Sequence, residues 1–338
     1  MNLRKLEKTE HEKTRRLWEE IFTEDTEAFL DYYYRIKTAE NEIFVIEEAQ
    51  TIRSMLQLNP YRLRVNKACF SANYIIAVAT DEKYRKRGLM GRLLKHAMRE
   101  MYDRKEPFTF LMPAAEAIYY PYDFRFVYNQ GQCEVSGREQ KEETLKIVLA
   151  DEKDCAKLAE FANQFLKDEQ VVTVRDEKYY RTVLAEQKGE HGGIVMAKRD
   201  DHIVGMYCYA KGERYEIREP LFLREEDFLH AVYTLTGNEQ ERVKCGAYGT
   251  EKEVPMIMVR ILHLETFLKC FSLKEDVDFL YTSYRFLFGG EQSYLSYCWR
   301  CTGRRDCCEK VCSTGAFMGS NFYWRAHKFN VWLSFQRR

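Results

Sequence analysis

An uninterrupted strand, basic turn and amphipathic helix between Tyr74 and Met101 constrain the fold of this chain more than any other feature. Apolar residues run up to Ala79, charged residues follow up to Arg87, and Gly88 precedes a helical spacing of apolar residues. A strand that turns directly into a helix is typical of α/β folds, in which a helix crosses over between central strands. The residues predicted to face the core on this helix are Leu93, Leu94, Ala97, Met98 and Met101.

The turn has the chemistry of an anion-binding site. The first backbone N–H groups of a helix have no intrahelical partner, and the helix dipole adds partial positive charge. This arrangement suits a pyrophosphate, and Gly88 allows close approach because it has no Cβ. The alternative is a solvated charged turn, but the strand before it and the helix after it favour a binding site. Basic side chains that add charge here are Arg85, Lys86, Arg87 and Arg92.

The run from Arg85 to Met90 resembles the acetyl-CoA motif of the GNAT superfamily, Gln/Arg-x-x-Gly-x-Gly/Ala, with Met90 at the sixth position. It is most similar to the Eis (enhanced intracellular survival) branch, whose loop typically reads Arg-Arg-Arg-Gly-Leu-Leu. The resemblance implies that backbone groups near the end of the strand contact the pantetheine arm and that the loop holds the pyrophosphate of acetyl-CoA. The implied contacts are Val78, Ala79, Thr80, Arg85, Lys86, Arg87, Gly88, Leu89, Met90 and Gly91.

A second stretch, from Glu116 to Phe124, resembles the Eis pattern Ile-Tyr-Gly-Arg-Phe-Gly-Tyr. The first tyrosine of that pattern is the general acid, so the resemblance assigns this role to Tyr119. The adjacent Tyr120 leaves an ambiguity of one residue. Asp123 stands where the family usually has glycine.

The N-terminal segment predicts two helices around a break at residues 23–25, with Thr23 or Asp25 as the cap of the second helix. The family resemblance implies that such helices line the pocket for the acceptor amine, where Glu24 or Asp25 would attract a cation. The same aromatic stripe also fits a packed core, which is the more common role of residues at helical spacing. The candidates for the pocket are Trp18, Phe22, Asp25, Phe29 and Tyr33.

The order of predicted elements is α/β, and we expect a GNAT fold with a mixed central sheet and flanking helices. Residues 1–136 form the predicted acetyltransferase domain, with strands at 42–47, 52–58, 73–80 and 107–112 and a turn at Asn59-Pro60. A charged stretch at 137–143 is the predicted linker. Residues 144–254 predict a second GNAT-like domain with a helix near 156–165 and a hairpin at 193–207, but without a second cofactor loop. Residues 255–338 resemble a partial or aberrant sterol-carrier-like region.

The last segment, from about Gly289, holds five of the eleven cysteines. The spacing of Cys298 and Cys301 fits half of a zinc site, whereas the gap to Cys307 is short. The rival interpretation, which we favour, is a change of reading frame that gives a poorly packed end. We therefore predict no metal. Eis-like enzymes are expected to use their terminal carboxylate as the base, and we do not transfer that role to Arg338.

Composition excludes several classes of protein. The chain has 338 residues and a formal net charge of zero, so nothing in its charge favours nucleic acid. No apolar run reaches the roughly 18 residues of a membrane span, and the charged N-terminus is unlike a secretory signal. We expect a cytoplasmic protein with reduced thiols.

The predicted function is transfer of an acetyl group from acetyl-CoA to the primary amine of a small molecule or a lysine, by direct attack in a ternary complex. The alternative is a non-catalytic acyl-CoA-binding or regulatory module, and a lipid-binding accessory role is conceivable for the last region. The resemblance to Eis-like proteins, which assemble as hexamers, implies a homo-oligomer.

Overall fold

The structure is a computed structural model that describes residues 1–140, 142–249 and 252–270, together with the backbone of four later strands. Within this part of the chain no helix combines the length and the apolar character needed to cross a membrane.

The first half of the chain alternates between helices and strands in the predicted order. Two short helices precede a run of antiparallel strands, and a long helix then connects two parallel strands. The elements are β1 (Asn2–Lys5), α1 (Arg15–Ile21), α2 (Glu27–Arg35), β2 (Glu42–Glu48), β3 (Thr51–Val65), β4 (Ala68–Thr80), α3 (Leu89–Asp103), β5 (Phe108–Leu111), α4 (Glu116–Tyr119) and β6 (Arg125–Ser136).

The second half repeats this plan with a shorter turn before its crossover helix. Its strand–helix–strand unit again joins two parallel strands. The elements are β7 (Leu145–Leu149), α5 (Cys155–Phe165), β8 (Val171–Thr173), α6 (Glu177–Gly189), β9 (Gly193–Arg199), β10 (His202–Lys211), β11 (Tyr215–Phe222), α7 (Glu225–Thr236), β12 (Arg242–Gly246), β13 (Lys252–Ile261) and α8 (Leu264–Leu268).

The two halves share one mixed, 14-stranded sheet, whose main path runs β1-β2-β3-β4-β5-β13-β6-β12-β11-β10-β9-β7. Strand β13 lies between β5 and β6, so a late segment of the chain completes the sheet of the first half. Strand β6 in turn pairs with β12 of the second half. The proposed division at residues 136, 144 and 254 stays a prediction, because the sheet is continuous across these positions.

Helix α3 covers one face of the first half of the sheet. All five residues predicted to face the core are buried, which confirms the helical pattern: they are Leu93, Leu94, Ala97, Met98 and Met101. Their partners come from β2 to β5 and include Phe44, Leu56 and Phe110. Helices α1 and α2 cover the opposite face, against Ile43, Val45, Met55, Ala77 and Ala79. The central strands are therefore buried on both faces and have fixed positions.

Two local predictions were wrong. Helix α2 is capped by Thr26, whose hydroxyl accepts a hydrogen bond from the Phe29 backbone N–H at 3.1 Å, and not by Thr23 or Asp25. Asn59-Pro60 is not a turn but lies within β3. Strand β2 begins opposite Leu58, so Pro60 lies beyond the end of β2. The N–H group that proline lacks therefore leaves no vacant position in the hydrogen-bond ladder between β2 and β3.

The hairpin predicted at 193–207 is confirmed as β9 and β10. Its turn contains Asp200 and Asp201 with φ of 49° and 62°, values that the short aspartate side chain tolerates. Strands β14 (Val277–Arg285), β15 (Ser293–Cys301) and β16 (Cys308–Val311) form a separate antiparallel sheet, and β17 (Val331–Trp332) pairs with β8. The side chains of the cysteine-rich segment, and with them the choice between zinc site and frame change, lie outside the described residues.

Candidate active site

The end of β4 leaves the central sheet open on one side. Strands β4 and β5 pair only at Tyr74 and Phe110, after which β4 continues to Thr80 while β5 ends at Leu111. On the other side β3 stays paired, with a β-bulge in which Ala77 and Val78 lie opposite one residue. The predicted contacts Val78, Ala79 and Thr80 therefore lie where the two parallel strands diverge.

The bulge changes the direction of the backbone within this opening. Ala77 has φ of 52°, in the left-handed region that few non-glycine residues adopt. The Ser54 hydroxyl donates to the carbonyl oxygen of Ala79 at 2.9 Å, and the Arg53 carbonyl accepts from the Asp81 N–H at 2.8 Å. These contacts hold β4 against β3 up to its last residue and leave its other edge facing the opening.

The turn between β4 and α3 presents unpaired backbone donors. Lys86 and Gly88 have φ of 60° and 74°, and Gly88 is the N-cap of α3 without a capping side chain. Among the described residues, none accepts a hydrogen bond from the backbone N–H groups of residues 86–91. Apart from the neighbouring chain, no described residue has a heavy atom within 4 Å of the position that a Cβ on Gly88 would take. The start of α3 is therefore open beside Gly88, and its N–H groups have no partner among the described residues.

Basic side chains surround this turn in two arrangements. The Arg87 guanidinium lies 4.7 Å from the centre of the Tyr84 ring, and the Arg53 guanidinium lies at 4.6 Å from the same ring. The Tyr84 hydroxyl donates to Glu48 at 2.5 Å and so fixes the ring. Lys86 and Arg92 are exposed, and no described carboxylate forms an ion pair with either. Their charge is available to an anion at the helix terminus.

The corresponding helix of the second half has the opposite character. Helix α7 starts two residues after β11, and its first turn contains Glu225, Glu226 and Asp227. Acidic side chains at this position satisfy the helix dipole and repel a phosphate. The first turn of α7 therefore lacks the basic character of the turn before α3, and the absence of a second cofactor loop stays a prediction.

Tyr119 ends α4 and is buried, with 7% of its surface exposed. Its ring packs edge-on against Phe124 at 5.9 Å between centroids. Burial, with a smaller contribution from Tyr74, raises the pKa of the Tyr119 hydroxyl to about 12. The neighbouring Tyr120 is exposed, and its ring lies 5.2 Å from the Arg125 guanidinium. Tyr119 is therefore the buried member of the pair, and burial keeps its hydroxyl protonated, whereas its role as the acid stays a prediction.

The turn after Tyr119 adopts the conformation that a glycine would favour. Asp123 has φ of 61° and ψ of 21°, which is left-handed. Tyr122 precedes it, and the Tyr122 hydroxyl lies so close to Gly91 that a Cβ on Gly91 would overlap it. The tyrosine turn and the first turn of α3 are therefore in direct contact.

The predicted acceptor residues form an aromatic cluster against the opposite face of the sheet. Trp18, Phe29 and Tyr33 are buried, and the Trp18 and Tyr33 rings lie 4.6 Å apart. Phe22 and Asp25 are partly exposed, and Asp25 accepts a hydrogen bond from the Trp18 indole N–H at 2.8 Å. The buried members serve as core, so a contact with an acceptor is left to the partly exposed pair.

Polar residues that the sequence interpretation did not select lie behind this cluster. The Tyr33 hydroxyl is 3.2 Å from both Gln57 Oε1 and Asn59 Oδ1, and it accepts from Asn41 Nδ2 at 3.0 Å. Asn59 was missed because Asn59-Pro60 suggested a turn, and Gln57 was missed because nothing in the predicted strand at 52–58 distinguished it. A cleft of about 440 Å³ opens nearby, and its walls include Leu17, Glu20, Ile52, Arg53 and Asp81.

A buried carboxylate lies where α6 of the second half packs against α2. The Tyr32 hydroxyl donates to Glu186 Oε2 at 2.9 Å. Burial and the nearby Glu190 raise the pKa of Glu186 to about 7, against smaller opposing effects of Lys37 and Arg218. No group of three or more His, Cys, Asp or Glu side chains in the described part of the chain is placed to hold a metal ion.

Comparison with known proteins identifies the class of this fold. The family model that matches the first half of the chain places the protein among the acyltransferases. Residues 2–127 match the family model of the acetyltransferase (GNAT) domain, so the chain carries a GNAT domain in its first half. A search of curated proteins found no match.

Solved structures with low sequence identity share the fold over most of the chain. A probable N-acyltransferase from Enterococcus faecalis has 16% identity and a TM-score of 0.72, covering 93% of this chain and 85% of its own. Eis1 from Mycobacterium abscessus has 10% identity and a TM-score of 0.63, covering 89% and 85%. A tandem GNAT protein from the clavulanic acid pathway has 10% identity and a TM-score of 0.51, covering 77% and 99%. The predicted GNAT fold is thus confirmed, whereas the sterol-carrier-like region stays a prediction.

Proposed function

We propose that this protein transfers an acetyl group from acetyl-CoA to a primary amine by direct attack in a ternary complex. The observation that carries the proposal is the set of backbone donors at residues 86–91 that have no acceptor among the described residues, beside the open space at Gly88. Donors of this kind suit the diphosphate of the co-substrate. Lys86 and Arg92 would add charge, and Arg87 would contribute from its place on Tyr84.

The thioester would lie in the opening between β4 and β5. Backbone groups at Val78, Ala79 and Thr80 would align the pantetheine arm along the free edge of β4, as a further strand would be aligned. The N–H groups of Val78 and Ala79 are the candidates for polarising the thioester carbonyl, because they lie beside the bulge at Ala77. This geometry needs no covalent enzyme intermediate.

The chemical step forms a C–N bond and breaks the C–S bond of the thioester. The attacking amine has to release its proton to solvent first, since an ammonium group has no lone pair and an alkyl ammonium has a pKa of about 10.4. The departing thiolate takes up a proton, and Tyr119 is the proposed donor. The nitrogen loses a second proton as the C–N bond forms, and this proton returns the phenol to its neutral form through solvent. Its raised pKa keeps the phenol protonated at every pH at which the enzyme would work. Desolvation also raises the pKa of the CoA thiol, which limits the difference in pKa between the phenol and the thiol that it protonates.

The acceptor would enter from the face covered by α1 and α2. Phe22 and Asp25 are its candidate contacts, and the buried Trp18, Phe29 and Tyr33 would support them from behind. The carboxylate of Asp25 gives this face an attraction for a cationic amine. We therefore favour a small polyamine, an aminoglycoside-like amine or a lysine over a neutral acceptor.

The test is a screen for thiol release from acetyl-CoA over a panel of amines, followed by Tyr119→Phe. We expect this variant to lose turnover by about 10²-fold or more and to bind acetyl-CoA with unchanged affinity in calorimetry. Tyr120→Phe is the matched control and should keep its turnover, because Tyr120 is exposed and pairs with Arg125. Binding of acetyl-CoA without turnover on any amine would instead support a non-catalytic acyl-CoA-binding module. Absence of binding would refute both functions.

A further inference from the structure

The turn that follows Tyr119 is held by a residue from the far end of the described chain. Arg260 lies on β13, opposite Thr109 of β5 in the sheet. Its Nη1 atom donates to the backbone carbonyl of Tyr122 and to Asp123 Oδ2, the latter at 2.9 Å. The Arg260 side chain is only 14% exposed, whereas that of Asp123 is 67% exposed. A mostly buried guanidinium thus reaches from the sheet to the outer side of the tyrosine turn.

This contact ties the turn to the sheet, whereas the other hydrogen bonds of the turn are local. Among these, Arg125 Nη1 donates to the Tyr120 carbonyl at 3.2 Å and to the Phe124 carbonyl at 2.8 Å. The turn is closed by hydrogen bonds from the Asp123 N–H to the Tyr120 carbonyl at 3.0 Å and from the Phe124 N–H to the Tyr119 carbonyl at 3.4 Å. The left-handed conformation of Asp123 costs roughly 1–2 kcal/mol compared with glycine. The ion pair with Arg260 offsets part of that cost and holds the turn in one conformation. Phe124, which packs on the Tyr119 ring, follows directly.

We propose that Arg260 is a positioning residue for Tyr119, and that through it the late strand β13 completes the active site of the first half. The inference rests on the proposed function, in which Tyr119 is the proton donor. Arg260 touches neither substrate in this account. It acts by holding Tyr122 and Asp123, and so sets the place of the Tyr119 hydroxyl relative to the thioester sulfur. A displacement of about 1 Å at such a group costs on the order of 10²-fold in rate.

The experiment compares Arg260→Met with the wild-type chain for turnover and for acetyl-CoA affinity. We expect kcat to fall about tenfold or more and the Kd of acetyl-CoA to change less than about twofold, since the free donors at residues 86–91 are untouched. In Asp123→Asn, asparagine tolerates the left-handed conformation, and the charge is removed from an exposed position, so folding is not at risk. This variant should lower kcat as Arg260→Met does. Arg242→Met on β12, whose partner Glu134 is exposed, is the control and should leave both values unchanged.

The decisive measurement repeats Arg260→Met in a Tyr119→Phe background. If Arg260 acts through the Tyr119 hydroxyl, the second substitution should lower the remaining kcat by less than about twofold. The same loss in both backgrounds would overturn the proposal and leave Arg260 a purely structural residue. Wild-type kcat in both Arg260→Met and Asp123→Asn would overturn it as well. If the wild-type chain acetylates no amine, the proposed function fails instead, so the two failures are distinct.

Discussion

Replacement of the buried Glu186 by glutamine should stabilise the protein, and the gain should depend on pH. Glu186 lies on α6 where this helix packs against α2, and 7% of its surface is exposed. It accepts a hydrogen bond from the Tyr32 hydroxyl at 2.9 Å. Burial and Glu190 raise its pKa from an ordinary value of 4.5 to about 7. The groups that face it are Glu190, Lys37, Arg218 and Tyr32. Glutamine keeps the hydrogen-bond acceptor and has no charge at any pH.

The sign and size of the effect follow from the two pKa values. Below pH 4.5 Glu186 is protonated in both the folded and the unfolded chain, so it costs nothing. Between pH 4.5 and about 7 only the folded chain keeps the proton, and the free energy of unfolding falls as the pH rises. Above that range the full cost is present, about 3 kcal/mol at roughly 1.4 kcal/mol for each pH unit.

Thermal unfolding at pH 5 and pH 8 measures this difference. We expect Glu186→Gln to raise the Tm by about 5 °C at pH 8 and by little at pH 5. Glu160→Gln, on the exposed face of α5, is the control and should shift the Tm equally at both values. An equal gain at both pH values, or a loss of stability at pH 8, would show that the carboxylate is not destabilised by burial.

Two further predictions concern close packing at the site. Gly91→Ala should lower the free energy of unfolding in urea by about 1–3 kcal/mol, because the new Cβ overlaps the Tyr122 hydroxyl. Adding Tyr122→Phe to the same chain should recover most of the loss, and no recovery would contradict the contact. Ala77→Val should destabilise the chain by about 1–3 kcal/mol more than Ala79→Val. Of these two alanines, only Ala77 has a left-handed backbone conformation, whereas valine is otherwise favourable in a strand. Equal losses would argue against the bulge.

The segment around Gly88 was predictable because its evidence is local. The spacing of Leu93, Leu94, Ala97, Met98 and Met101 follows a helical period, and all five are buried as expected. Gly88 precedes them and has the positive φ that glycine adopts at low cost. Secondary-structure periodicity and backbone preference both act over a few residues, so a single sequence contains them.

Other parts of the site depend on contacts between distant residues and carry no local signal. Arg260 is one of three charged residues in β13, and only the insertion of β13 beside β5 brings it to Asp123. The bulge at Ala77 depends on the register between β3 and β4. Glu186 reads as an ordinary helical glutamate until α6 packs on α2. One local indication was Asp123, which stands where the family usually has glycine. A charged residue at such a position is consistent with an ion pair to a basic side chain.

The most direct test of the proposed diphosphate site compares the acetyl-CoA affinity of Gly88→Ala with that of Gly237→Ala. Both glycines are left-handed, with φ of 74° and 67°. Apart from the neighbouring chain, no described residue has a heavy atom within 4 Å of an added Cβ at either position, so the backbone cost is matched. We predict that Gly88→Ala weakens acetyl-CoA binding at least about tenfold in calorimetry, through loss of one or more charge-assisted hydrogen bonds. Gly237→Ala should bind like the wild-type chain, and neither change should affect acetyl-pantetheine, which lacks the diphosphate. Equal affinities of the two variants for acetyl-CoA would contradict a diphosphate site at the N-terminus of α3.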